Sequence, residues 1–396
     1  MARRISLICA RPHFNPGMYS VDLAFDSVLE RHGLQAEVQR YCYGGPHRAT
    51  GMDRDVLEYE SLEDCFDEVL ASDLLLYWGD FHHAYVYWWN ALHIGPNRGR
   101  AFADDRAETA HVAKHLLVAG QPPAVLRKTL SFGSTLLGDD LRSLTTIDSD
   151  YREAFPNFIE GARRIWFRDP VSNAQAGLRR GDQAAATLGV DCAHLLTPDD
   201  YRAIAGAPGA VSGDYACVFF GRVRESMDQL APLTGLLAER AGLDAVWIPW
   251  LGAAPEALAP FQHAMPALEV DAWPVSYERL IARVAGAQLV ITDTYHLSLI
   301  AWRLGVPAVC VGMGAQRAVR PISDKKKEIF YLTQRIAPLY LFHETLLDPA
   351  GHAAIATEAL HLALDPAFVD AVATSLAAQA ATAATDLCTT IENVWA

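Results

Sequence analysis

Residues 287–311, AQLVITDTYHLSLIAWRLGVPAVCV, constrain the fold more than any other stretch. Residues 289–291 are a short apolar run of the kind buried on both faces of a parallel sheet. Thr292, Asp293 and Thr294 are turn and cap residues. Residues 298–303 read as a helix, which Gly305 and Pro307 end, and residues 308–311 read as the next strand. A strand–turn–helix–turn–strand order calls for a parallel pair, because the crossover returns the chain to the same end of the sheet. It also sets Asp293 and His296 at the carboxyl end of a strand, beside a helix N-terminus. Open α/β sheets take ligands there, and anions are favoured. On pattern alone, a plain helix cap with a surface histidine is the simpler account of this turn.

The same alternation recurs along the chain. Residues 5–9 read as a buried strand, followed by a loop with Asn15, Pro16 and Gly17 and a helix that Gly33 stops. This is a nucleotide-fold opening without a GxGxxG fingerprint. Residues 74–78 read as a strand running into Gly79, Asp80, Phe81, His82 and His83. For the two histidines, packing against Tyr85, Tyr87, Trp88 and Trp89 is the favoured reading. For Asp80, packing and proton transfer both stay open. Residues 129–132 precede Gly133, Ser134 and Thr135, a turn able to cradle an anion. Residues 165–167 lead into Arg168 and Asp169, with Pro170 in a first helical turn. Arg168 at a strand end faces a cleft or pairs with Asp169 or another loop acid. Residues 205–213, rich in Ala and Gly, make the best linker. It divides the chain into domains 1–204 and 205–396. The second domain carries Gly221 and Arg222 after its first strand, then a loop with Gly312, Gly314 and Arg317, then Asp324-Lys325-Lys326-Lys327 at a helix start. The Ala-rich stretch 366–394 reads as a helix that crosses back to the first domain.

Composition narrows the function classes. Half of the 396 residues are apolar, enough for two cores of ordinary size. A formal charge of −14 argues against a nucleic-acid face. Seven dispersed cysteines fit reduced thiols rather than a disulfide framework or a metal site. Residues 5–10 are too short for a signal-peptide core, and no uninterrupted apolar run reaches the ~20 residues of a membrane span. The expectation is a soluble, cytoplasmic protein with no membrane span.

Thr292-Asp293-Thr294-Tyr295-His296, followed by an apolar helix and Leu304-Gly305-Val306-Pro307, resembles the carboxyl-terminal signature of the polysaccharide pyruvyl transferase family. The strand ending in Arg168-Asp169, with Ser172 opening a helix, is a second match. Asn15, Gly17 and Asp22 match an Asn-x-Gly-type loop more loosely. The resemblance implies an α/β fold of two Rossmann-like domains facing a cleft, glycosyltransferase-B-like, with the acceptor on the first domain and the donor on the second. It implies a transferase of polysaccharide biosynthesis that moves the enolpyruvyl group of phosphoenolpyruvate onto sugar hydroxyls, leaving a pyruvate ketal and phosphate.

Such a reaction needs a cationic pocket, a proton-transfer group and a base. Arg168, Arg222, Arg317 and Lys325 supply the pocket in this reading, with Asn15 and Gly17 as a substrate loop. His296 transfers the proton, Asp293 orients it, and Asp80 accepts the hydroxyl proton. Phosphoenolpyruvate is the donor substrate, and neither a metal nor a further cofactor is implied. Two other readings fit the same architecture. One is a glycosyltransferase using a nucleotide sugar, its diphosphate held by the same Arg and Lys set. The other is an inactive binding protein, since only Gly79 remains of the glycine run the family carries near Asp80.

Overall fold

Leu74–Trp78 and Leu289–Thr292 are buried at every position, the pattern of strands covered on both faces. Runs of this kind build two parallel sheets in a computed structural model. It describes residues 2–10, 14–54, 56–79, 82–85, 102–137, 149–180, 186–206, 213–221, 227–252, 255–312, 322–342, 346 and 348–396.

The first sheet comprises β1 (Arg3–Cys9), β2 (Ala36–Cys42), β3 (His47–Arg48), β4 (Glu58–Ser61), β5 (Leu74–Trp78), β6 (Thr129–Ser134), β7 (Arg164–Phe167) and β8 (Ala186–Leu188). Its order is β3-β4-β2-β1-β5-β6-β7-β8, parallel except for the β3–β4 pair. The second comprises β9 (Tyr215–Phe219), β10 (Asp244–Trp247), β11 (Glu269–Val270), β12 (Leu289–Thr292), β13 (Ala308–Gly312) and β14 (Tyr340–Phe342). Its order is β11-β10-β9-β12-β13-β14, all parallel.

Each sheet therefore starts at its centre, builds outward, then reverses to the other side. The reversals lie between β1 and β5, where Cys9 pairs with Trp78, and between β9 and β12, where Phe219 pairs with Thr292. Such a switch point leaves a crevice at the strands' carboxyl ends, because the flanking crossovers run to opposite faces.

The helices that bear on the site are α1 (Pro16–His32), α2 (Pro170–Arg180), α3 (Pro198–Ala205), α4 (Tyr277–Gly286), α5 (Tyr295–Arg303), α6 (Ile322–Thr333) and α7 (Pro366–Trp395). The lobes are docked by buried polar contacts. Helix α3 of the first lobe packs on α4 of the second. The Glu278 carboxylate accepts the Asp53 and Arg54 amides at 2.9 and 2.8 Å, and the Ser20 and Tyr277 hydroxyls meet at 2.8 Å. Arg303 donates to the Leu196 carbonyl at 2.9 Å.

Helix α7 returns from the second lobe to the first. Asp386 accepts from Trp166 Nε1 and from Arg164, both at 2.7 Å, and Arg3 donates to the Trp395 carbonyl. By length and composition alone α7 could cross a membrane. Here its stripe of Val372, Leu376, Ala380, Leu387 and Ile391 is buried against protein.

Candidate functional site

The second switch point is assembled from its backbone outward. The Thr292 hydroxyl donates to the Phe219 carbonyl at 2.8 Å and ties β12 to β9. Asp293, fully buried, accepts the Gly221 amide at 3.0 and 3.2 Å and the Thr294 hydroxyl at 3.2 Å. Lys327 of α6, also fully buried, donates to the carbonyls of Asp293 (2.8 Å) and Val311 (3.0 Å) and pairs with Asp324 at 2.6 Å. The turn is thus held by internal partners, as buried polar groups require, and it aims the start of α5 at the first lobe.

His296, in the first turn of α5, reaches across the junction. Its Nε2 lies 3.5 Å from Asp191 Oδ2, and its side chain is 11% exposed. Arg168, at the end of β7, donates to the same Oδ2 at 2.5 Å and lies 5.2 Å from the centre of the Tyr295 ring. Asp191 Oδ1 accepts the Ala193 amide at 3.0 Å and caps the short 3-10 helix Cys192–Leu195.

Asp191 is 3% exposed. Burial by itself raises its carboxyl, but the charges of His296 and Arg168 override burial and hold it well below the usual carboxylate range. One anion therefore fixes a guanidinium from the first lobe and an imidazole from the second.

The first lobe meets this imidazole with α1. A Cβ built on Gly17 would lie 2.3 Å from His296 Cβ, so only glycine allows the start of α1 to press against the His296 side chain. The N-termini of α1 and α5 consequently converge, and both favour negative charge.

Arg168 and His296, the two most specific positions of the sequence reading, meet at one carboxylate. The other expected site residues lie elsewhere. The Asp293 carboxylate accepts from Gly221 and Thr294, and the carboxylate that His296 Nε2 approaches, at 3.5 Å, is that of Asp191. Asp191 carries only the local signal of an acid before a short turn. Asn15 uses its side chain to accept the Gly17 amide at 3.2 Å, capping its own helix. Lys325 is exposed on α6, whereas Lys326 and Lys327 of the same run are buried. Asp80, Arg222 and Arg317 lie outside the described residues.

In the Gly133–Thr135 turn, the Thr135 side chain meets an anion belonging to the chain itself. The Asp169 carboxylate accepts from the Thr135 hydroxyl (2.8 Å), the Ser172 hydroxyl (2.7 Å) and the Ser172 amide at the start of α2 (2.8 Å). His83 sits in packing, bonded to the Leu116 carbonyl and the Ser131 hydroxyl at 3.0 Å each, and its ring meets Tyr77 and Phe158. Among the described residues no group of three or more His, Cys, Asp and Glu side chains could hold a metal ion.

No family model matches the sequence, and no curated protein matches it. Solved structures do match the fold. UDP-GlcNAc 2-epimerase from Neisseria meningitidis, bound to UDP-GlcNAc, superposes with a TM-score of 0.54 at 10% identity, covering 98% of this chain and 100% of that one. A putative UDP-N-acetylglucosamine 2-epimerase from Listeria monocytogenes gives 0.52 at 12% identity, covering 94% and 91%. A co-structure of S. aureus MnaA with UDP gives 0.52 at 9% identity, with the same coverage. With the strand orders above, these likenesses establish an α/β, glycosyltransferase-B-like fold: two Rossmann-like lobes facing a shared cleft.

Proposed function

We propose that this chain is a transferase that takes a nucleotide sugar at the switch point of the second lobe and passes the sugar to an acceptor lying against the first. The observation that carries this reading is the strand order β11-β10-β9-β12-β13-β14, with Gly221 and the Asp293–His296 turn at its reversal. That crevice takes a diphosphate in folds of this order, because helix N-termini and turn amides offer positive potential there. The like-folded Neisseria and S. aureus structures hold UDP-GlcNAc and UDP, which supports the same ligand class here. In this reading His296 exchanges the acceptor's proton, and Asp191 and Arg168 hold its ring at the lobe junction.

A second reading, pyruvyl transfer from phosphoenolpyruvate, is favoured by one observation. Arg168 and His296, from the two segments that most resemble polysaccharide pyruvyl transferases, share Asp191 Oδ2.

One experiment separates the two. Melting of the full chain is followed at constant ionic strength with UDP, UDP-sugars or phosphoenolpyruvate. UDP or phosphate release is then measured with candidate sugar acceptors. Stabilisation by UDP compounds with UDP release supports glycosyl transfer. Stabilisation by phosphoenolpyruvate alone, with phosphate release, overturns it in favour of pyruvyl transfer.

A further inference from the structure

Strand β8 is an edge of the first sheet, and among the described residues it pairs with β7 alone. Gly189 donates its amide to the Phe167 carbonyl at 2.7 Å. Alternate residues of a parallel strand bond to the same neighbour, so the amide and carbonyl of Leu188 face away from β7. Such edges are ordinarily blunted by charge, proline or a bulge. The opposite edge, β3, carries Arg48, and the edge strand β11 of the second sheet carries Glu269. Ala186-Thr187-Leu188 has no such residue, and Leu188 is 53% exposed.

Helix α7 lies beside this bare edge, anchored through Asp386 to Trp166 and Arg164 of β7. A groove of about 970 Å3 runs between them, bordered by Thr187 and Leu188 on the strand and by Ala378, Thr382 and Thr385 on the helix. The outer face of α7 is exposed and built from small side chains, Ala378, Ala381, Thr382, Thr385 and Thr389. From residue 371 to residue 391 the one charged side chain is Asp386, and it is turned to the sheet. A strand added at β8 would fill the groove. A helix carried on that strand would come alongside α7, and small side chains let helix axes approach to about 8 Å.

We propose that this face joins two copies of the chain about a two-fold axis. Strand β8 pairs with its counterpart, antiparallel as the axis requires, and the two α7 helices pack side by side over the joined sheet. Other occupants fit the face less well. A basic partner finds no free anion on it. A lipid surface would meet only the short side chains of Ala and Thr, and residues 366–396 contain no Lys or Arg to draw anionic headgroups. A second copy brings the same uncharged face. Two chains of formal charge −14 therefore approach where neither presents a charge. The proposal does not rest on the transferase reading.

The test is sedimentation velocity and light scattering of the full chain across a micromolar concentration series. A particle of twice the chain mass is expected. Leu188→Lys and Ala381→Glu, both at exposed positions, should each weaken the dimer at least tenfold and leave the melting temperature of the dilute monomer unchanged. Single cysteines at Ala378, Ala381 and Thr385 locate the axis. Under a copper–phenanthroline oxidant, the one nearest the axis should cross-link two copies above the background of the parent chain. Arg202→Cys, exposed on α3, should not. A chain that stays monomeric throughout overturns the proposal, and if such a monomer sediments with phosphatidylcholine–phosphatidylglycerol vesicles, a membrane takes the face instead. A dimer that both substitutions leave intact, or one that cross-links through residue 202 and not through α7, overturns it as well.

Discussion

Among the carboxylates withdrawn from water in this molecule, Asp22 and Asp191 end in opposite states. Asp22 lies inside α1, fully buried, with the Tyr59 hydroxyl donating to it at 2.6 Å. The nearest guanidinium, on Arg40, is turned toward Asp26. Burial dominates, and the Asp22 carboxyl is pushed up to about 7. Asp191 feels the same pull from burial, yet His296 and Arg168 hold it well below the usual range. Burial alone therefore does not set the charge of a carboxyl here; its partners do. Asp22 serves the interior of one lobe, whereas Asp191 is an anion on which groups from two lobes meet. The contrast can be broken from either side, and the expected effects differ in size and in sign with pH.

The largest effect is expected at Asp191. Asp191→Ala removes the carboxylate that pairs with the Arg168 side chain, 3% exposed. Breaking a buried pair in this way costs about 3–5 kcal/mol, read as a fall in the urea midpoint at unchanged slope. Turnover should be lost with it, because His296 loses the group that holds its ring. A variant with wild-type stability would mean that Asp191 carries no charge worth pairing.

Gly17→Ala is the next in size. The added Cβ meets the root of the His296 side chain, which cannot swing aside without moving α5. Overpacking of this kind costs about 1–3 kcal/mol, and an ångström-scale displacement of a reacting group lowers turnover on the order of 10²-fold. Gly33→Ala is the control. Gly33 has a φ of 66° with nothing within 4 Å of an added Cβ, so only its backbone resists the change. It should cost about 1 kcal/mol in melts and leave turnover intact. Equal turnover losses in the two glycine variants would remove the packing argument for Gly17.

The fold was legible because buried parallel strands are continuous apolar runs, and Leu74–Trp78 and Leu289–Thr292 announce themselves. Arg168 and His296 were legible because each ends or begins an element with a recognisable local pattern. Asp191 was not. Its pairing with Arg168 spans 23 positions and depends on how the end of β7 meets a short 3-10 turn. The Asp293 contact was hidden for a similar reason: the Gly221 amide that donates to it is 72 positions away, just past the end of the neighbouring strand β9. The Lys325–Lys327 run shows a third limit. Successive helical residues turn by about 100°, so one of three lysines faces the switch point, and only the docking of α6 decides that it is Lys327 and not Lys325.

The smallest effect is expected at Asp22→Asn, and its value lies in the sign. The folded Asp22 carboxyl sits near 7 against an ordinary 3.8, so the native state holds the proton more tightly than the unfolded chain does. Native stability from this group is fully present below about 4 and is lost as pH rises through 7. Asparagine keeps an acceptor for the Tyr59 hydroxyl and cannot ionise. At pH 5 the variant and the parent should differ by less than about 1 kcal/mol, while at pH 8 the variant should be the more stable of the two. Asp191 runs the other way, because its depressed carboxyl contributes above the usual carboxylate range and loses that contribution only as pH falls below about 4. Urea midpoints of the parent, Asp22→Asn and Asp191→Asn from about pH 3 to 8 read both slopes. An Asp22→Asn variant that loses stability equally at pH 5 and at pH 8 would mean that Asp22 is itself a buried anion, and the contrast between the two regions would collapse.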